Sequence, residues 1–373
     1  MMATPIAQVF IGNVVNTPVL GRLDILQEQV ILVDINGMIA DVCPLATPSP
    51  AALHYLHNTP QHAIIRLPPT SFFAPTFVDL HLHAPQFMYL GTGLHLPLLI
   101  WLDEYAYKAE ERLDADPELA KKVYFRLAQR LAENGTGAVL AFGTIKEDTN
   151  IILAEAFAAL GLRIFVGKLT MDQSSLEREI RPRNISRCLL SSRAIFAHCT
   201  FLEIPELGRL REAGCAVAHC PLSNAYFSTL PFRLREALDM GVKVGLGTDV
   251  AGGYQVDMMG AMRQAVITSR MRNGFQTELV PGDAPFSIDW KESLYMATRG
   301  GAIALGMKSG IIEPGAPFDV QRIDFFNAAG EGLGDMDFFD VPTMLTEPIV
   351  EKWWCLGNSA NRLSMWVQGR KIF

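Results

Sequence analysis

Short apolar runs alternate with longer amphipathic stretches through the middle of the chain. The apolar runs have the composition of buried strands, and they are Thr76–His83, Ala138–Gly143, Arg163–Leu169, Ala194–Cys199, Cys215–Cys220 and Lys243–Asp249. Helical periodicity occupies the stretches Glu118–Glu133, Asn150–Leu160, Ile204–Ala213 and Met258–Met271. Strand and helix in regular alternation, with near-continuous apolar strands, predict a parallel α/β sheet.

Most of these strands end in a polar or reactive side chain, namely His83, His198, His219 or Asp249. In a (β/α)8 barrel the active site lies at the carboxyl ends of the strands, so this pattern favours a TIM-type barrel over a doubly wound sheet. A closed barrel of this kind needs eight strands, and the pattern supplies six. The fourth and fifth strands are therefore predicted to be missing, between about Asp172 and Ala194, where the sequence is polar, basic and unpatterned.

Both ends of the chain have β character instead. Gln8–Val15 and Val30–Asp34 are strand-like, and Asn36-Gly37 is a hairpin signal before the next strand. Strand-like runs return at Asp319–Ile323 and Ser364–Phe373. We expect residues 1–66 and 309–373 to form a small composite β-sandwich, flanking an incomplete barrel over 67–308. Residues 43–63, rich in Pro, Ala and Thr, predict a linker or exposed loop.

Composition narrows the classes of function. The 373 residues are 49% hydrophobic and 19% charged, as in an ordinary globular protein, and the net charge is −7. Such a charge argues against nucleic-acid polymers and anionic membranes as partners. The start lacks the features of a signal peptide, no apolar run could span a bilayer, and the six cysteines are scattered. These features predict a cytoplasmic location with reduced thiols.

His81 and His83 are the clearest chemical signal. Side chains alternate along a strand, so two histidines one residue apart are expected on one face, with Val78, Leu80 and Leu82 on the other. Two imidazoles at the end of a buried strand make half of a metal site. The alternative is a pair of hydrogen-bonded histidines in a loop.

Other strand ends could complete that site. Asp249 follows a Gly-rich apolar strand, where a carboxylate can ligate a metal and accept a proton from water, or can cap the next helix. His198 could ligate the metal or hydrogen-bond the attacking water. His219 resembles it in position, although a supporting or core role is equally consistent. Cys199 and Cys220 are expected to face away from the histidines and to pack.

Together these segments resemble the amidohydrolase superfamily of metal-dependent hydrolases and, within it, the guanine deaminases. The resemblance rests on Phe77–Gln86, Leu96–Leu102 with Ala109-Glu110, Gly167-Lys168 with Met171-Asp172, Ala197–Cys199, Ala218–Asn224 and Gly245–Tyr254. The two most specific stretches are Leu-Pro-Leu-Leu-Ile-Trp-Leu and Gly-Thr-Asp-Val-Ala-Gly-Gly. The resemblance covers most of the chain on both sides of the gap.

The resemblance implies one zinc ion per subunit, held by His81, His83 and Asp249, with iron as a possible substitute. His198 and Asp249 would be the catalytic residues, with His198 orienting the attacking water.

The same resemblance implies that His83, Ala84, Pro85 and Gln86 bind the purine. The reaction would be hydrolysis of guanine to xanthine and ammonia. The resemblance also implies a homodimer. Guanine would be the only partner beyond the second subunit.

The chain departs from the family at two functional segments. One is a Pro-Arg-Phe motif that holds the purine, of which Pro182-Arg183-Asn184 is a weak echo. The other is His-x-x-Glu, which supplies a zinc ligand and a proton-shuttling glutamate; none of the eight histidines here has Glu three residues later. We therefore expect little or no activity. The alternatives are an amidohydrolase acting on a related heterocycle, or a non-catalytic truncated isoform that binds metal or dimerises.

Overall fold

The computed structural model describes residues 4–167, 190–276, 285–327, 329–340 and 342–373. The strands are β1 (Ile6–Asn16), β2 (Asp24–Asp34), β3 (Ile39–Pro44), β4 (Ile64–Arg66), β5 (Phe72–Pro75), β6 (Phe77–His83), β7 (Thr136–Phe142), β8 (Arg163–Gly167), β9 (Ile195–Ala197), β10 (Ala216–His219), β11 (Lys243–Leu246), β12 (Val320–Ile323), β13 (Arg362–Val367) and β14 (Arg370–Lys371). The helices are α1 (Pro50–Asn58), α2 (Leu98–Trp101), α3 (Tyr107–Ala115), α4 (Pro117–Glu133), α5 (Glu147–Leu160), α6 (Ile204–Glu212), α7 (Pro221–Phe227), α8 (Leu234–Asp239), α9 (Met258–Gln276), α10 (Trp290–Tyr295), α11 (Gly301–Ala304) and α12 (Glu347–Leu356).

Both ends of the chain contribute to one sheet, as the sequence predicted. Its order is β14-β13-β12-β5-β1-β2-β3, with β4 paired to β1, so that it includes β5, beyond residue 66. The strands are hydrogen-bonded into a single sheet, whereas a sandwich would have two. The cause is the length of β1, which pairs with β4 along Val9–Ile11 and with β5 at Asn13 and Val14. One face of this sheet encloses an aromatic cluster that includes Phe10 and Phe318, whose ring centroids are 4.5 Å apart.

The expected loop over residues 43–63 is wrong, because it contains helix α1. The Ser49 side chain accepts a hydrogen bond from the Ala52 N–H, and Pro50 occupies the first turn. Serine before proline is a favourable helix start, so the signal was present in the sequence. Ala52 is fully buried and packs the helix against the apolar face of the sheet.

The six predicted barrel strands are all present, in two parallel groups of three. One group has the order β6-β7-β8 and the other β11-β10-β9. They join where the end of β6 meets the residues just after β11: the Asp249 N–H donates to the His81 carbonyl (2.7 Å) and the His83 N–H donates to the Val250 carbonyl (2.9 Å). The described strands therefore run as one series, β8-β7-β6-β11-β10-β9.

The predicted gap and Pro182-Arg183-Asn184 fall within residues 168–189, outside the described residues. The absence of a fourth and fifth strand accordingly stays a prediction.

The strand series separates a small-residue interior from a layer of helices. Val78 and Leu80 meet alanines of β7 and β10 on the inner face. The outer faces pack against α4 and α5 on one side and against α6, α8 and α9 on the other. This arrangement places the carboxyl ends of six strands at one rim. Among the described residues, no helix combines the length and the apolar character that a bilayer crossing requires.

Candidate metal and substrate site

A β-bulge in β6 aims the two histidines at the rim. From Asp79 to Leu82 this strand advances three residues while β7 advances two. Leu80 faces the interior apolar cluster, but Leu82 packs with the outer helices, so the expected common face for these leucines is wrong. The extra residue moves His81 and His83 to the inner face, because a bulge reverses the alternation beyond it.

A left-handed backbone conformation aims the other two predicted residues, His198 and Asp249, at the same rim. His198 has φ +66° and Asp249 has φ +50°, values uncommon for residues other than glycine. Ala197 already packs towards the interior, so an extended backbone would turn His198 outward. Such backbone states cluster at functional sites, where the surrounding structure holds them in place.

Four predicted site residues converge at this rim. One carboxylate oxygen of Asp249 lies 3.2 Å from His81 Nε2 and 3.6 Å from His83 Nε2, and the other lies 3.7 Å from His198 Nε2. The ligand atoms of His81, His83 and Asp249 all lie within 4.8 Å of one another. The residues that the sequence singled out for metal binding and for catalysis are therefore brought together.

These residues fit a divalent metal ion of the zinc type. His81 Nε2 and His83 Nδ1 are buried and make no hydrogen bond of acceptable geometry, although the Asp249 carboxylate is near His81. Burial opposes ionisation of Asp249, but His81, His198 and His83 together hold its pKa below the ordinary value. Burial, reinforced by His81, lowers the pKa of His83 to about 4. A carboxylate beside a neutral imidazole is the protonation state that zinc or iron requires of these two ligands.

A buried carboxylate beneath the site fixes the strand ends. Asp79 accepts hydrogen bonds from the Thr248 N–H (3.0 Å), the Thr248 hydroxyl (2.5 Å) and the His81 N–H (3.1 Å). Burial raises the pKa of Asp79 to about 6, against the lowering effect of these hydrogen bonds. Because Asp79 binds both β6 and the segment after β11, it holds His81 and Asp249 in register.

The end of β10 differs from the sequence prediction in two ways. Cys220 continues the inward face of Ala218 and points into the site, whereas it was expected to pack away from the histidines. His219 faces outward against Phe232 and is buried, so its likeness to His198 in position is wrong and the alternative of a supporting or core role fits. When alternation along β10 is counted from its buried alanines, and not from His219, it places Cys220 inward and His219 outward.

The side-chain amide of Asn224 lies between His198 and His219. His198 Nδ1 lies 2.8 Å from Asn224 Oδ1, and Asn224 Nδ2 lies 3.5 Å from His219 Nδ1. Burial lowers the pKa of His219 to about 3, so it is a neutral acceptor. The amide oxygen then accepts from His198 Nδ1–H, which leaves His198 Nε2 directed at the carboxylate of Asp249.

A cavity of about 710 Å³ opens beside the four residues. His83, Gln86 and His198 line it on the polar side, and Trp101 and Phe227 form part of its apolar wall. This volume is ordinary for a small-molecule site.

Two of the predicted substrate-binding residues lie outside the lining of the cavity. Ala84 and Pro85 are buried in the short helical turn Ala84–Tyr89 that follows β6 and do not line the cavity. Gln86 does, and its Oε1 accepts a hydrogen bond from the Ala251 N–H at 3.2 Å. The amide nitrogen of Gln86 is therefore the atom that can donate to a ligand in the cavity.

Glu110 and Asn224 belong to the site, although the sequence analysis gave neither a role. Glu110 is buried and hydrogen-bonded to Gln86, and burial raises its pKa to about 7. Its position was available as a signal: Ala106, Glu110 and Leu113 share the apolar stripe of one helical surface. A carboxylate on such a stripe is costly unless a partner meets it.

We expect Gly247→Ala to weaken both folding and metal binding. An added Cβ would lie 2.8 Å from His81 Cβ and 3.0 Å from Cys220 Sγ, so the metal-binding strand must shift. The free energy of unfolding should fall by about 1–3 kcal/mol, and zinc affinity by roughly 10–100-fold. Denaturant unfolding with a chelator and zinc titration measure the two effects. Gly274→Ala, where an added Cβ meets nothing within 4 Å, is the control and should lose neither.

We expect Glu110→Gln to change the pH dependence of stability. Wild-type Glu110 keeps its proton up to about pH 7, while the unfolded chain loses that proton near pH 4.5. The contribution of Glu110 to the free energy of unfolding therefore falls as the pH rises between these values. The variant should gain stability over wild type across this window, by at most about 1.4 kcal/mol per pH unit. Denaturant unfolding between pH 4.5 and 7 tests this. The exposed neighbour variant Glu111→Gln should show no such gain.

The comparisons with known proteins agree with this geometry. The profile of the amidohydrolase family matches residues 72–191 and 185–369. A probable guanine deaminase of Schizosaccharomyces pombe is 29% identical over 450 residues, covering 98% of this chain and 83% of that protein.

Two solved structures share the fold. A guanine deaminase from C. acetobutylicum with bound guanine in the active site has a TM-score of 0.82 at 24% identity, covering 98% of this chain and 100% of that one. An adenosine deaminase from Xanthomonas campestris with bound zinc has a TM-score of 0.74 at 20% identity, covering 99% and 93%. Because the family profile spans most of the chain, we conclude that this protein belongs to the amidohydrolase family.

Proposed function

We propose that this chain is a guanine deaminase, which hydrolyses guanine to xanthine and ammonia at a zinc site held by His81, His83 and Asp249. The observation that carries the proposal is the convergence of these residues and His198 beside the 710 Å³ cavity, which His83, His198 and Asp249 line. The curated relative and the guanine-bound structural neighbour support guanine as the substrate. Zinc held there would supply Lewis-acid activation of water.

The cavity residues would divide the remaining work. The apolar wall with Trp101 and Phe227 is suited to one face of a flat heterocycle, and it excludes water. Gln86 offers an amide donor, fixed by Ala251 and Glu110, to an acceptor on the ring. His198 Nε2 faces the carboxylate of Asp249, where the two can orient and hold a proton of the attacking water.

The set of catalytic groups that we propose lacks a general acid. A deaminase must deliver a proton to the departing amine, and the His-x-x-Glu segment that would supply it does not occur in the sequence. The family profile matches in two segments that meet at residues 185–191, and the S. pombe alignment of 450 residues is longer than this chain of 373. Both support a missing internal block of barrel sequence.

Product analysis on the zinc-loaded protein tests the proposal. Guanine, adenosine and amino- or chloro-substituted triazines are each incubated with the protein, and the products are identified by chromatography. Guanine is expected to give xanthine, slowly but faster than with the chelated protein. Conversion of another heterocycle in preference to guanine would favour the second candidate, an amidohydrolase with a related substrate, for which the zinc-bound adenosine deaminase neighbour is the supporting observation. Zinc and guanine binding without any product would favour a non-catalytic isoform.

The homodimer rests on the family resemblance alone, and the location rests on features of the sequence alone. A homodimer and a cytoplasmic location remain predictions, which sedimentation and fractionation would check.

A further inference from the structure

Cys220 presents a sulfur atom to the same space as the predicted zinc ligands. It is fully buried, and its Sγ lies within 4.8 Å of ligand atoms of both His81 and His198. The thiol lies 3.5 Å from the Ala218 carbonyl, a weak contact for a sulfur donor, which leaves the sulfur lone pairs for another partner.

His81 is common to two overlapping sets of ligand atoms. One set is His81, His83 and Asp249, and the other is His81, His198 and Cys220. His81 is 5% exposed and its Nε2 makes no hydrogen bond, an arrangement that is costly unless an ion binds there. The unpartnered nitrogen thus indicates that a cation belongs beside His81.

Gly247 leaves the space through which Cys220 approaches His81. A Cβ at this position would lie 2.8 Å from His81 Cβ and 3.0 Å from Cys220 Sγ. The absence of a side chain therefore lets Cys220 and His81 approach each other closely.

We propose that Cys220 is a further protein ligand of the metal in this chain, which completes coordination through sulfur where the sequence has no His-x-x-Glu histidine. The inference rests on the proposed metal site. Binding converts the thiol and a divalent ion into a metal thiolate and releases one proton to solvent. A sulfur ligand favours zinc, cobalt and cadmium over manganese and magnesium.

Cobalt substitution tests the proposal without any assay of activity. The metal-free full chain is titrated with Co²⁺, and the near-ultraviolet absorption is followed for a sulfur-to-cobalt charge-transfer band. We expect the band to saturate at one equivalent, to vanish in Cys220→Ser and to persist in Cys199→Ser. Cys199 is the matched control because its sulfur belongs to neither set of ligand atoms among the described residues. X-ray absorption of the wild-type zinc protein needs no variant, and it should show one sulfur at about 2.3 Å from zinc.

The outcomes separate this inference from the proposed function. Stoichiometric cobalt without a sulfur band, and zinc with only nitrogen and oxygen neighbours, would overturn the role of Cys220 and leave the histidine–aspartate site intact. Failure of the wild-type chain to bind either metal would overturn both. If Cys220→Ser does not fold, X-ray absorption of the wild-type zinc protein still shows whether a sulfur atom is bound to zinc.

Discussion

Replacing His81 by alanine is expected to abolish stoichiometric zinc binding. His81 belongs to both sets of ligand atoms, and its Nε2 lies 3.2 Å from the Asp249 carboxylate. Loss of residues that merely support a ligand weakens metal affinity by about 10–100-fold, so loss of this shared ligand should cost more than roughly 100-fold. Zinc titration with a competing chromophoric chelator measures the change.

His95 provides the matched control for that experiment. It lies outside both sets of ligand atoms and is not among the residues that line the cavity. His95→Ala should bind zinc as wild type does. A His81→Ala protein that is folded and retains zinc with wild-type affinity would contradict the proposed site, whereas circular dichroism at matched temperature would identify a variant that has lost its fold.

Small carboxylic acids are expected to accelerate guanine turnover. Without a general acid/base the rate should lie about 10²–10⁴-fold below that of a complete enzyme, and thus well below the typical turnover of about 10 s⁻¹. Formate can enter a 710 Å³ cavity, accept a proton from the attacking water and then, as formic acid, deliver that proton to the departing amine. Xanthine formation at fixed pH should therefore rise with formate concentration and then saturate.

Sodium chloride at the same ionic strength is the control, and it should have no such effect. Turnover of guanine near 10 s⁻¹ without added acid would contradict the missing proton shuttle. A zinc-loaded protein that binds guanine but ignores formate would show that transfer of the proton is not what limits the reaction.

The sequence predicted the strands and the convergence of four polar strand ends because both depend on local pattern. Each of the six interior strands was identified from an apolar run, and all are present among the described residues. His198 and Asp249 were identified as polar ends of such strands, which parallel packing brings to one rim. The helix over Pro50–Asn58 was missed, although Ser49 and Pro50 formed a start signal.

The details of orientation depend on contacts that local pattern does not contain. The bulge between Asp79 and Leu82 arises from pairing with β7, a strand more than fifty residues later in the chain. The left-handed backbone of His198 is imposed by packing, since nothing in a histidine favours it over an extended conformation. Strict alternation consequently misplaced Leu82, whereas Cys220 was assigned to the wrong face because alternation along β10 was counted from His219.

Equilibrium binding of guanine with and without zinc tests the central claim most directly, because the claim joins the metal and the purine in one site. Calorimetric titration of guanine into the zinc-loaded chain, into the chelated chain and into His81→Ala would compare the three states. We predict one guanine per chain with zinc present, and binding at least tenfold weaker in the other two, which corresponds to about 1.4 kcal/mol. Equal affinity in all three, or no binding to the zinc-loaded chain, would contradict the account.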